Sequence, residues 1–314
     1  MILWTQLIFP LIRLLLFICA GLLVANFIEA LGWTRKTSII ARPLTRIAHL
    51  SPQTGASFSM AFFSGVSANT MLAEAYDQKI ISRRELVLAN LFNSLPTYFL
   101  HLPTTFFMMA PLIKGAAVIY ICLTFGAAVL RTCCITVLSH FLLPPAQPGE
   151  ITQPPTTTPF ADAWTKTWKR FTRRIRKIIR FTIPIYTLFF LLNRLDFFTL
   201  LEQLMTDHLS ILSWLSPQAM SIITLHVVAE FSAGLAAAGA LLADGTMSQR
   251  EVILALLVGN ILSSPVRAIR HQFPYYAGIF KPALATRLIF FSQSFRTAGI
   301  CVVAVLYVLF GSSS

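Results

Sequence analysis

The chain has 314 residues, of which 56% are hydrophobic and only 12% are charged. Soluble domains carry about a quarter charged residues, so this composition excludes an ordinary soluble protein and indicates an all-α, multi-pass protein of the cell inner (plasma) membrane, surrounded by membrane lipids. The net charge of +13 would also fit a nucleic-acid partner, but basic cytoplasmic loops explain it in a membrane protein, and we expect no nucleic acid.

The first predicted element is an apolar run over residues 11–31, which is long enough to cross a bilayer. It has no basic segment ahead of it and exceeds the length of a cleaved signal peptide, so we interpret it as a membrane span. A connector that ends in Leu50-Ser51-Pro52-Gln53 then leads into a run rich in small residues over 55–76.

The polar turn Ser82-Arg83-Arg84-Glu85 separates this run from the next helix. Its serine and glutamate have the spacing of a capping box, in which each side chain accepts a hydrogen bond from the backbone of the other residue. Pro96 and Pro103 are expected to break the helix that follows. The long apolar run 111–143 completes the first membrane repeat.

A linker rich in Pro and Thr over residues 144–159 and a strongly basic segment come next. Residues 166–180 contain eight Lys and Arg residues, and Trp164, Trp168 and Phe171 lie among them or just ahead of them. This pattern predicts an amphipathic helix over residues 161–180 that lies on the membrane surface and leads into the next span. Nucleic-acid binding is the alternative for this segment.

The rest of the chain repeats the first part at a nearly constant offset. The motif at Leu50 recurs at Leu215, and the motif at Ser82 recurs at Ser248. The distance along the chain between a motif and its repeat is therefore almost the same in both cases. Several matches in the same order indicate an internal duplication. The second copy has apolar runs at residues 181–201, 219–242 and 282–310, and prolines at Pro265 and Pro274.

The duplication divides the chain into three predicted parts. A first membrane repeat covers residues 1–143, and a second covers residues 176–314. Residues 144–175 form the linker and a basic, amphipathic cytoplasmic segment between them.

The charge of the loops predicts how the two repeats are inserted. If every apolar run crossed the membrane once, the basic loops 32–51 and 77–85 would lie on opposite sides. If runs 55–76 and 219–242 are re-entrant hairpins, four basic segments with 18 Lys and Arg residues lie inside, against one residue outside. Each copy then crosses three times and the second is inverted, as in many secondary transporters. Ordinary crossings that violate the positive-inside rule are the alternative.

Polar residues in the two small-residue runs are the candidate binding residues. Ser, Gly and Asn suit an unwound hairpin tip, whose carbonyl and hydroxyl groups hold a polar ligand or ion, and close helix packing through small residues is the alternative. Glu230 is the strongest candidate, because a carboxylate in an apolar run normally faces a partner, a cavity or a proton path. The candidates are Ser64, Gly65, Ser67, Asn69, His226, Glu230, Ser232 and Gly234.

Two pairs of ionisable residues extend the candidate site. His226 lies four residues before Glu230, on the same face if the helix is continuous, where the pair would exchange a proton or bind a cation. Arg131 and Arg296 occupy equivalent repeat positions, where a two-fold axis would bring them together around an anion. Snorkelling of each arginine to an interface is the alternative. Freed backbone groups near the broken helices are expected to be satisfied by Asn90, Asn93 and Asn260.

No enzyme activity, cofactor or metal site is expected. The sequence has no Gly-rich phosphate loop, nucleophile elbow or HExxH motif. Its five cysteines lie in apolar runs without the spacing of metal ligands, so we interpret them as packing residues.

These motifs resemble the Gate, or nucleoside-recognition, membrane domain that is shared by concentrative nucleoside transporters, the membrane part of the ferrous-iron transporter B and spore maturation proteins. The resemblance lies in Leu50 to Gln53, in Ser64-Gly65-Val66-Ser67-Ala68-Asn69 and in Ser82 to Glu85, and it recurs over residues 215–251. It implies a Gate-type membrane fold and recognition of a nucleoside. The nucleoside-binding segments of the concentrative transporters have no clear match in this chain.

The sequence therefore favours a secondary transporter or permease that moves a small polar or anionic solute by alternating access, coupled to a proton or cation. A non-transporting membrane scaffold or sensor that recruits partners through residues 161–180 is one alternative. A protein that handles lipid headgroups through Arg131 and Arg296 is another. Assembly as a homo-oligomer is left open.

Overall fold

The computed structural model of the protein describes residues 41–145, 160–197, 215–228 and 230–310, with scattered positions between 4 and 27 and at 200, 203 and 204. Every element in this described part of the chain is helical. Most of the predicted span 11–31 and of the linker 144–159 lies outside it.

Three helical stretches in the described part are long and apolar enough to cross a membrane, with 28 to 32 residues each. At about 1.5 Å per residue they exceed the hydrocarbon core, which is about 30 Å thick. In Gln249–Phe280, 61% of the most apolar 18-residue segment is buried inside the protein, against 11% of the corresponding segment in Pro282–Phe310. The first of these is therefore a core helix and the second is largely exposed. The described chain is all-helical with helices suited to a membrane, as the composition predicts.

Six α-helices follow one another in the first half of the chain. The small-residue run predicted over 55–76 is divided by a bend at residues 62–64. The helices on either side of the bend pack against each other, because the Ser57 hydroxyl of one donates to the Ala68 carbonyl of the other at 3.0 Å. The helices are α1 (Arg42–Ile47), α2 (Pro52–Ala61), α3 (Gly65–Asp77), α4 (Arg83–Phe92), α5 (Ser94–Ile113) and α6 (Gly115–Leu142).

The second half contains six further α-helices. The second small-residue run is again divided, since one helix ends at Val228 and the next begins at Glu230. These two helices pack closely, because a Cβ added at Gly234 would lie 2.8 Å from the Cβ of His226. The helices are α7 (Phe160–Arg194), α8 (Pro217–Val228), α9 (Glu230–Ala243), α10 (Gln249–Arg267), α11 (Phe273–Phe280) and α12 (Pro282–Phe310), with a π-helical turn, Ala268–Gln272, ahead of α11.

The predicted capping box is confirmed at the start of α10. The Ser248 hydroxyl accepts from the Glu251 amide at 3.3 Å, and the Glu251 carboxylate accepts from the Ser248 amide at 2.8 Å. Each of these contacts satisfies an N–H group that the first turn of a helix leaves unpaired.

At the start of α4 the predicted capping box is only half formed. The Ser82 hydroxyl accepts from the Glu85 amide at 3.1 Å. The Glu85 carboxylate instead accepts from the Ser51 amide at 2.8 Å and from the Thr54 hydroxyl at 3.0 Å. The prediction was wrong for this side chain because the first turn of α2 presents unpaired donors and a positive helix end beside it. Glu85 thereby links α2 to α4.

The prolines break helices at only some of the predicted positions. Pro96 lies in the first turn of α5, where a missing N–H costs no intrahelical hydrogen bond. Pro103 lies inside α5 and does not end it, so that predicted break is wrong. In the second half, Pro265 lies inside α10, and the π-helical turn adjusts the backbone between it and Pro274 in the first turn of α11.

Left-handed backbone occurs at several junctions between helices, the first of them at His49 (φ 54°) between α1 and α2. Lys79 (φ 61°) and Gly245 (φ 76°) follow α3 and α9. Lys114 (φ 47°) separates α5 from α6, and Lys281 (φ 70°) separates α11 from α12. A side chain disfavours this conformation, so the three lysines are held there by the helices on either side.

The predicted surface helix and the next span form one continuous helix, α7. Its aromatic side chains stack in sequence, with ring centroids 6.2 Å apart for Trp164 and Trp168 and 5.4 Å apart for Trp168 and Phe171. Lys166 and Lys169 are exposed. The helical prediction for residues 161–180 is confirmed, and its location on a membrane surface stays a prediction.

The chain forms two compact units that differ from the two halves of the sequence. The first unit contains Met1–Leu100, Thr132–Phe190 and Phe273–Ser292, and the second contains His101–Arg131, Leu191–Gln272 and Gln293–Ser314. Each unit therefore takes segments from both halves. The core of the first unit includes Leu72, Leu86 and Leu288, and the core of the second includes Ile113, Ile222, Leu256 and Leu257.

Candidate functional site

Each unit contains a cluster of polar side chains within its apolar helices. We call the first the amide cluster, and it lies in the first unit. The second is the arginine cluster, and it lies in the second unit. Polar groups of this kind are costly among apolar helices unless they are hydrogen-bonded, so the partners of each one decide what the cluster can do. The amide cluster contains Ser57, Asn69, Asn90, Asn93, Tyr275 and Tyr276, and the arginine cluster contains Tyr120, Asn260, Arg267 and Arg296.

The amide cluster is ordered by a carbonyl group at the start of α3. The Gly65 carbonyl can only accept, so the Tyr275 hydroxyl donates to it at 3.1 Å and itself accepts from Asn69 Nδ2 at 2.9 Å. Asn69 Oδ1 must then be an acceptor, and Asn90 Nδ2 donates to it at 2.9 Å and to the Tyr276 hydroxyl at 3.3 Å. This chain of donors fixes both amide orientations. It leaves Asn90 Oδ1 buried without a hydrogen-bond partner in the described structure.

A second chain of hydrogen bonds in the amide cluster also ends at a backbone carbonyl, that of Ala68. Asn93 Nδ2 donates to the Ser57 hydroxyl at 2.7 Å, and that hydroxyl donates to the Ala68 carbonyl at 3.0 Å. Asn93 Oδ1 is therefore a second buried acceptor without a described partner. Asn90 and Asn93 lie three residues apart, on one face of the end of α4. The cluster thus offers two acceptor oxygens to an N–H or O–H group or to a cation.

The first four sequence candidates all lie at the start of α3. Asn69 and Gly65 belong to the amide cluster through Tyr275. Ser64 caps α3, because its hydroxyl accepts from the Ser67 amide at 3.1 Å and from the Ser67 hydroxyl at 3.0 Å. Both serines therefore have a structural partner, and only Asn69 and the Gly65 carbonyl contact the wider cluster.

The arginine cluster is organised by one amide, Asn260 of α10. Its Oδ1 accepts from Arg267 Nη2 at 2.8 Å and from Arg296 Nη2 at 3.0 Å. Its Nδ2 donates to the Tyr120 hydroxyl at 2.9 Å. Arg267 lies two turns along α10 from Asn260, Arg296 comes from α12 and Tyr120 from α6. Two guanidinium groups therefore share one neutral acceptor, which orients them without cancelling their charge.

His226 of α8 is packed beside the arginine cluster. It is 1% exposed, and neither ring nitrogen has a hydrogen-bond partner in the described structure. A Cβ added at Gly259 would lie 2.6 Å from its Nδ1, so only glycine fits there. Its ring lies 5.2 Å from Phe231, which in turn lies 6.3 Å from Tyr120. Both guanidinium groups of the cluster lie within electrostatic range of it.

The remaining candidates of the second small-residue run have different environments. Because α8 ends at Val228, His226 and Glu230 lie on different helices, so the continuous helix that would place them on one face is not present. Glu230 begins α9, and its side chain lies outside the described part of the structure. Ser232 is exposed, whereas Gly234 is buried against His226 and has a packing role.

The structure places Arg267 next to Arg296, a neighbour that the sequence did not suggest. Arg131 is half-buried on α6, and its predicted pairing with Arg296 stays a prediction. Arg267 follows Pro265 by two residues and is the last residue of an α10 that continues through this proline. The period of a helix that continues through Pro265 places it two turns from Asn260, and this was the signal available in the sequence.

The roles expected of three asparagines also differ from those observed. Asn90, Asn93 and Asn260 were expected to satisfy freed backbone groups, but their side chains bond other side chains. The tyrosines that partner them were not anticipated. No three His, Cys, Asp or Glu side chains lie together within the residues that the structure describes.

Three proteins of Methanocaldococcus jannaschii are similar to this chain over most of their lengths, and each is described as an uncharacterized protein. The first is 25% identical over 279 residues, which are 88% of this chain and 87% of its own. The second is 25% identical over 263 residues, 83% and 82% of the two chains. The third is 21% identical over 277 residues, 85% and 88%. No protein-family model and no solved structure matches the chain.

Proposed function

We propose that the protein is a Gate-type secondary transporter or permease that moves a small polar or anionic solute across the membrane by alternating access. The observation that carries this proposal is the combination, in each unit, of a hairpin of two short helices with a buried polar cluster beside it. Many secondary transporters bind their solutes at discontinuous helices of this kind, near the middle of the membrane.

The lengths of the hairpin helices support a re-entrant arrangement. α2 and α3 contain 10 and 13 residues, and α8 and α9 contain 12 and 14. At about 1.5 Å per residue, each is about 15–21 Å long and too short for a hydrocarbon core of about 30 Å. A hairpin of two such helices enters and leaves on one face of the membrane.

Equivalent backbone features in the two halves support the inverted duplication. The second helix of each hairpin begins at a corresponding position, Gly65 in the first half and Glu230 in the second. Left-handed residues follow these helices at Lys79 and Gly245, again at nearly the same offset. The long final helix of each half begins directly after a left-handed lysine. With an odd number of crossings in each copy, the second copy is inverted.

The test of transport is solute flux through proteoliposomes that contain the purified protein. Gradients of small carboxylates, inorganic phosphate, nucleosides and polyols are applied one at a time, and flux is recorded against protein-free liposomes. We expect flux for one chemical class, and loss of that flux in Asn90→Ala but not in the exposed control Gln78→Ala. Absence of flux for every class would contradict transport and favour a scaffold or sensor.

The test of the hairpins is cysteine labelling in intact cells, on a background without native cysteines. Lys79 and Asp244 are exposed residues that directly follow the two hairpins. We expect Lys79→Cys to react only from the cytoplasm and Asp244→Cys only from outside, because the second copy is inverted. Labelling of position 79 from outside, or of position 244 from inside, would mean that the run crosses fully and would overturn the re-entrant arrangement.

A further inference from the structure

We infer that one end of the first unit is a binding surface for the headgroups of anionic phospholipids. We call it the basic surface, and it combines α1 with the turn between α3 and α4. The inference goes beyond the proposed transport and does not depend on it, because it concerns only how this end of the unit meets the membrane surface. The basic residues of the surface are Arg42, Arg46, Lys79, Arg83 and Arg84.

The first observation is a contact that joins two segments 34 residues apart in sequence. The Glu85 carboxylate, in the first turn of α4, accepts from the Ser51 amide at 2.8 Å and from the Thr54 hydroxyl at 3.0 Å. Ser51 closely follows the end of α1, and Glu85 directly follows the turn that precedes α4. The end of α1 and this turn therefore lie side by side within the first unit, and their basic residues form one surface.

The second observation is that the charge of the basic surface is not neutralised by other parts of the protein. All five basic side chains are exposed. None of them makes an ion pair or a side-chain hydrogen bond within the described part of the chain. Two carboxylates belong to the same segments, the exposed Asp77 and Glu85, which is directed at the start of α2. The basic residues outnumber them, so the surface attracts anions.

The third observation is that aliphatic side chains are exposed among the basic ones. Leu44 is 36% exposed, Ile47 is 57% exposed and Ile80 is 44% exposed, while Thr45 is buried and holds α1 against the protein. Basic and aliphatic side chains together suit the boundary between lipid headgroups and acyl chains, because the first bind phosphate and the second enter the apolar layer. A nucleic acid would bind the charges but leave the aliphatic side chains in water.

The equivalent turn in the second half has a similar backbone and a different surface. Each turn contains a left-handed residue, Lys79 in the first half and Gly245 in the second, and leads into a helix that is capped by a serine. The next residue is the aliphatic Ile80 in the first half and the polar Thr246 in the second. This turn can therefore form without the basic and aliphatic residues of the first half, which supports a binding role for them.

The test is hydrogen exchange of the full-length protein in nanodiscs that contain phosphatidylcholine, either alone or mixed with phosphatidylglycerol. We expect slower exchange at residues 42–50 and 79–84 when phosphatidylglycerol is present, because bound headgroups stabilise α1 and the turn. Residues 244–250 are the internal control and should exchange equally in both membranes. High salt should remove the difference, since it screens exposed charges. Equal exchange at residues 42–50 and 79–84 in both membranes would overturn the inference.

The contribution of charge is measured by native mass spectrometry of the protein with equal amounts of phosphatidylglycerol and phosphatidylcholine. Arg46→Gln, Arg83→Gln and Arg84→Gln are combined in one variant, and each lost charge should weaken phosphatidylglycerol binding about fivefold. Lysine at the same three positions keeps the charge and should keep the binding. Undiminished binding in the glutamine variant, or an equal loss in the lysine variant, would contradict attraction by charge.

A soluble polyanion is the competing occupant of the basic surface. Polyglutamate and polyuridylate are therefore added to the protein in nanodiscs that contain phosphatidylglycerol. We expect neither to bind residues 42–50 and 79–84, because the lipid headgroups already occupy them. Binding of either one there, together with no preference for phosphatidylglycerol over phosphatidylcholine, would contradict a lipid site and assign the surface to an acidic cytoplasmic partner.

Discussion

Asn260 is a neutral residue that determines where three other side chains point. Its amide holds two guanidinium groups and a tyrosine hydroxyl from three different helices. An apolar side chain of similar size would leave these groups without their shared partner, and a buried charge without partners is costly. The amide therefore acts as a positioning residue for Arg267 and Arg296.

Gly259, next to Asn260, is predicted to tolerate no side chain. A Cβ there would lie 2.6 Å from His226 Nδ1, whereas a Cβ at Gly126 on α6 would meet nothing within 4 Å. We expect Gly259→Ala to destabilise the protein by about 1–3 kcal/mol through overpacking. Gly126→Ala should instead stabilise it by about 0.5 kcal/mol through helix propensity. The unfolding midpoint in detergent measures both, and equal shifts would contradict the close contact.

Polarity in an apolar run was sufficient to find some residues of the two clusters and His226, which is packed beside the second. Asn69, His226 and Arg296 were identified in this way, because polar groups are rare at membrane depth. Tyr275 was missed, because a tyrosine is common in apolar helices and its partner Asn69 lies 206 residues away. Contacts at that separation depend on tertiary packing, which no local pattern encodes.

At the scale of elements, the contact of Glu85 with α2 couples the first hairpin to the helix that follows it. The carboxylate lies on α4 but accepts from the backbone and a side chain at the start of α2. A helix start has unpaired N–H groups and a positive partial charge, and a carboxylate is a strong partner for both. Movement of α2 relative to α4 must break this contact.

Glu85→Gln should therefore weaken the start of a helix 31 residues away in sequence. We expect a loss of about 1–2 kcal/mol, because a charged acceptor is replaced by a neutral one. Hydrogen exchange should accelerate at residues 51–54. Glu251→Gln is the matched control, since within the described part of the chain its carboxylate bonds only Ser248 in its own turn.

An unchanged exchange rate at residues 51–54 in Glu85→Gln would show that this contact is dispensable. Faster exchange there in Glu251→Gln would show that the effect of either substitution is general.

The elements themselves were largely predictable, and their ends were less so. The small-residue runs were expected to be interrupted, and the bend at residues 62–64 and the break before Glu230 agree with this. Pro103 was expected to end a helix that continues past it. A proline removes one hydrogen bond, and the remaining turns of a long apolar helix keep it intact.

At the scale of the whole molecule, the two halves of the chain exchange segments. Residues 101–131 belong to the second unit, where a Cβ added at Gly239 would lie 3.0 Å from the Leu112 carbonyl. Phe273–Ser292 belongs to the first unit, where Tyr275 joins the amide cluster. Loop charge and repeats predict two copies in sequence, but they contain no information about which copy a given helix packs against.

The exchange predicts that neither half folds alone. A chain cut between residues 150 and 151 should give fragments that are degraded when expressed singly, because each lacks segments of both units. Expressed together, they should associate and recover the unfolding midpoint of the intact protein. A full-length protein with a protease site in the linker is the control, and its cleavage after folding should not release either fragment.

Single fragments that accumulate with the hydrogen-exchange protection of the intact protein would contradict this dependence. The amides of residues 253–260 and 83–90 report on the two cores separately, so a partial result is assigned to one unit.

The exchange of segments also determines when, during synthesis, each helix gains the neighbours against which it packs. Residues 101–131 are synthesised before residues 191–272, the part of the second unit against which they pack. During that interval, the parts of α5 and α6 within residues 101–131 are without these native neighbours, so the apolar side chains that they later bury are exposed. A translational pause in the linker would prolong this exposure, so slow codons there should lower the yield of assembled protein, whereas the same codons after residue 272 should not.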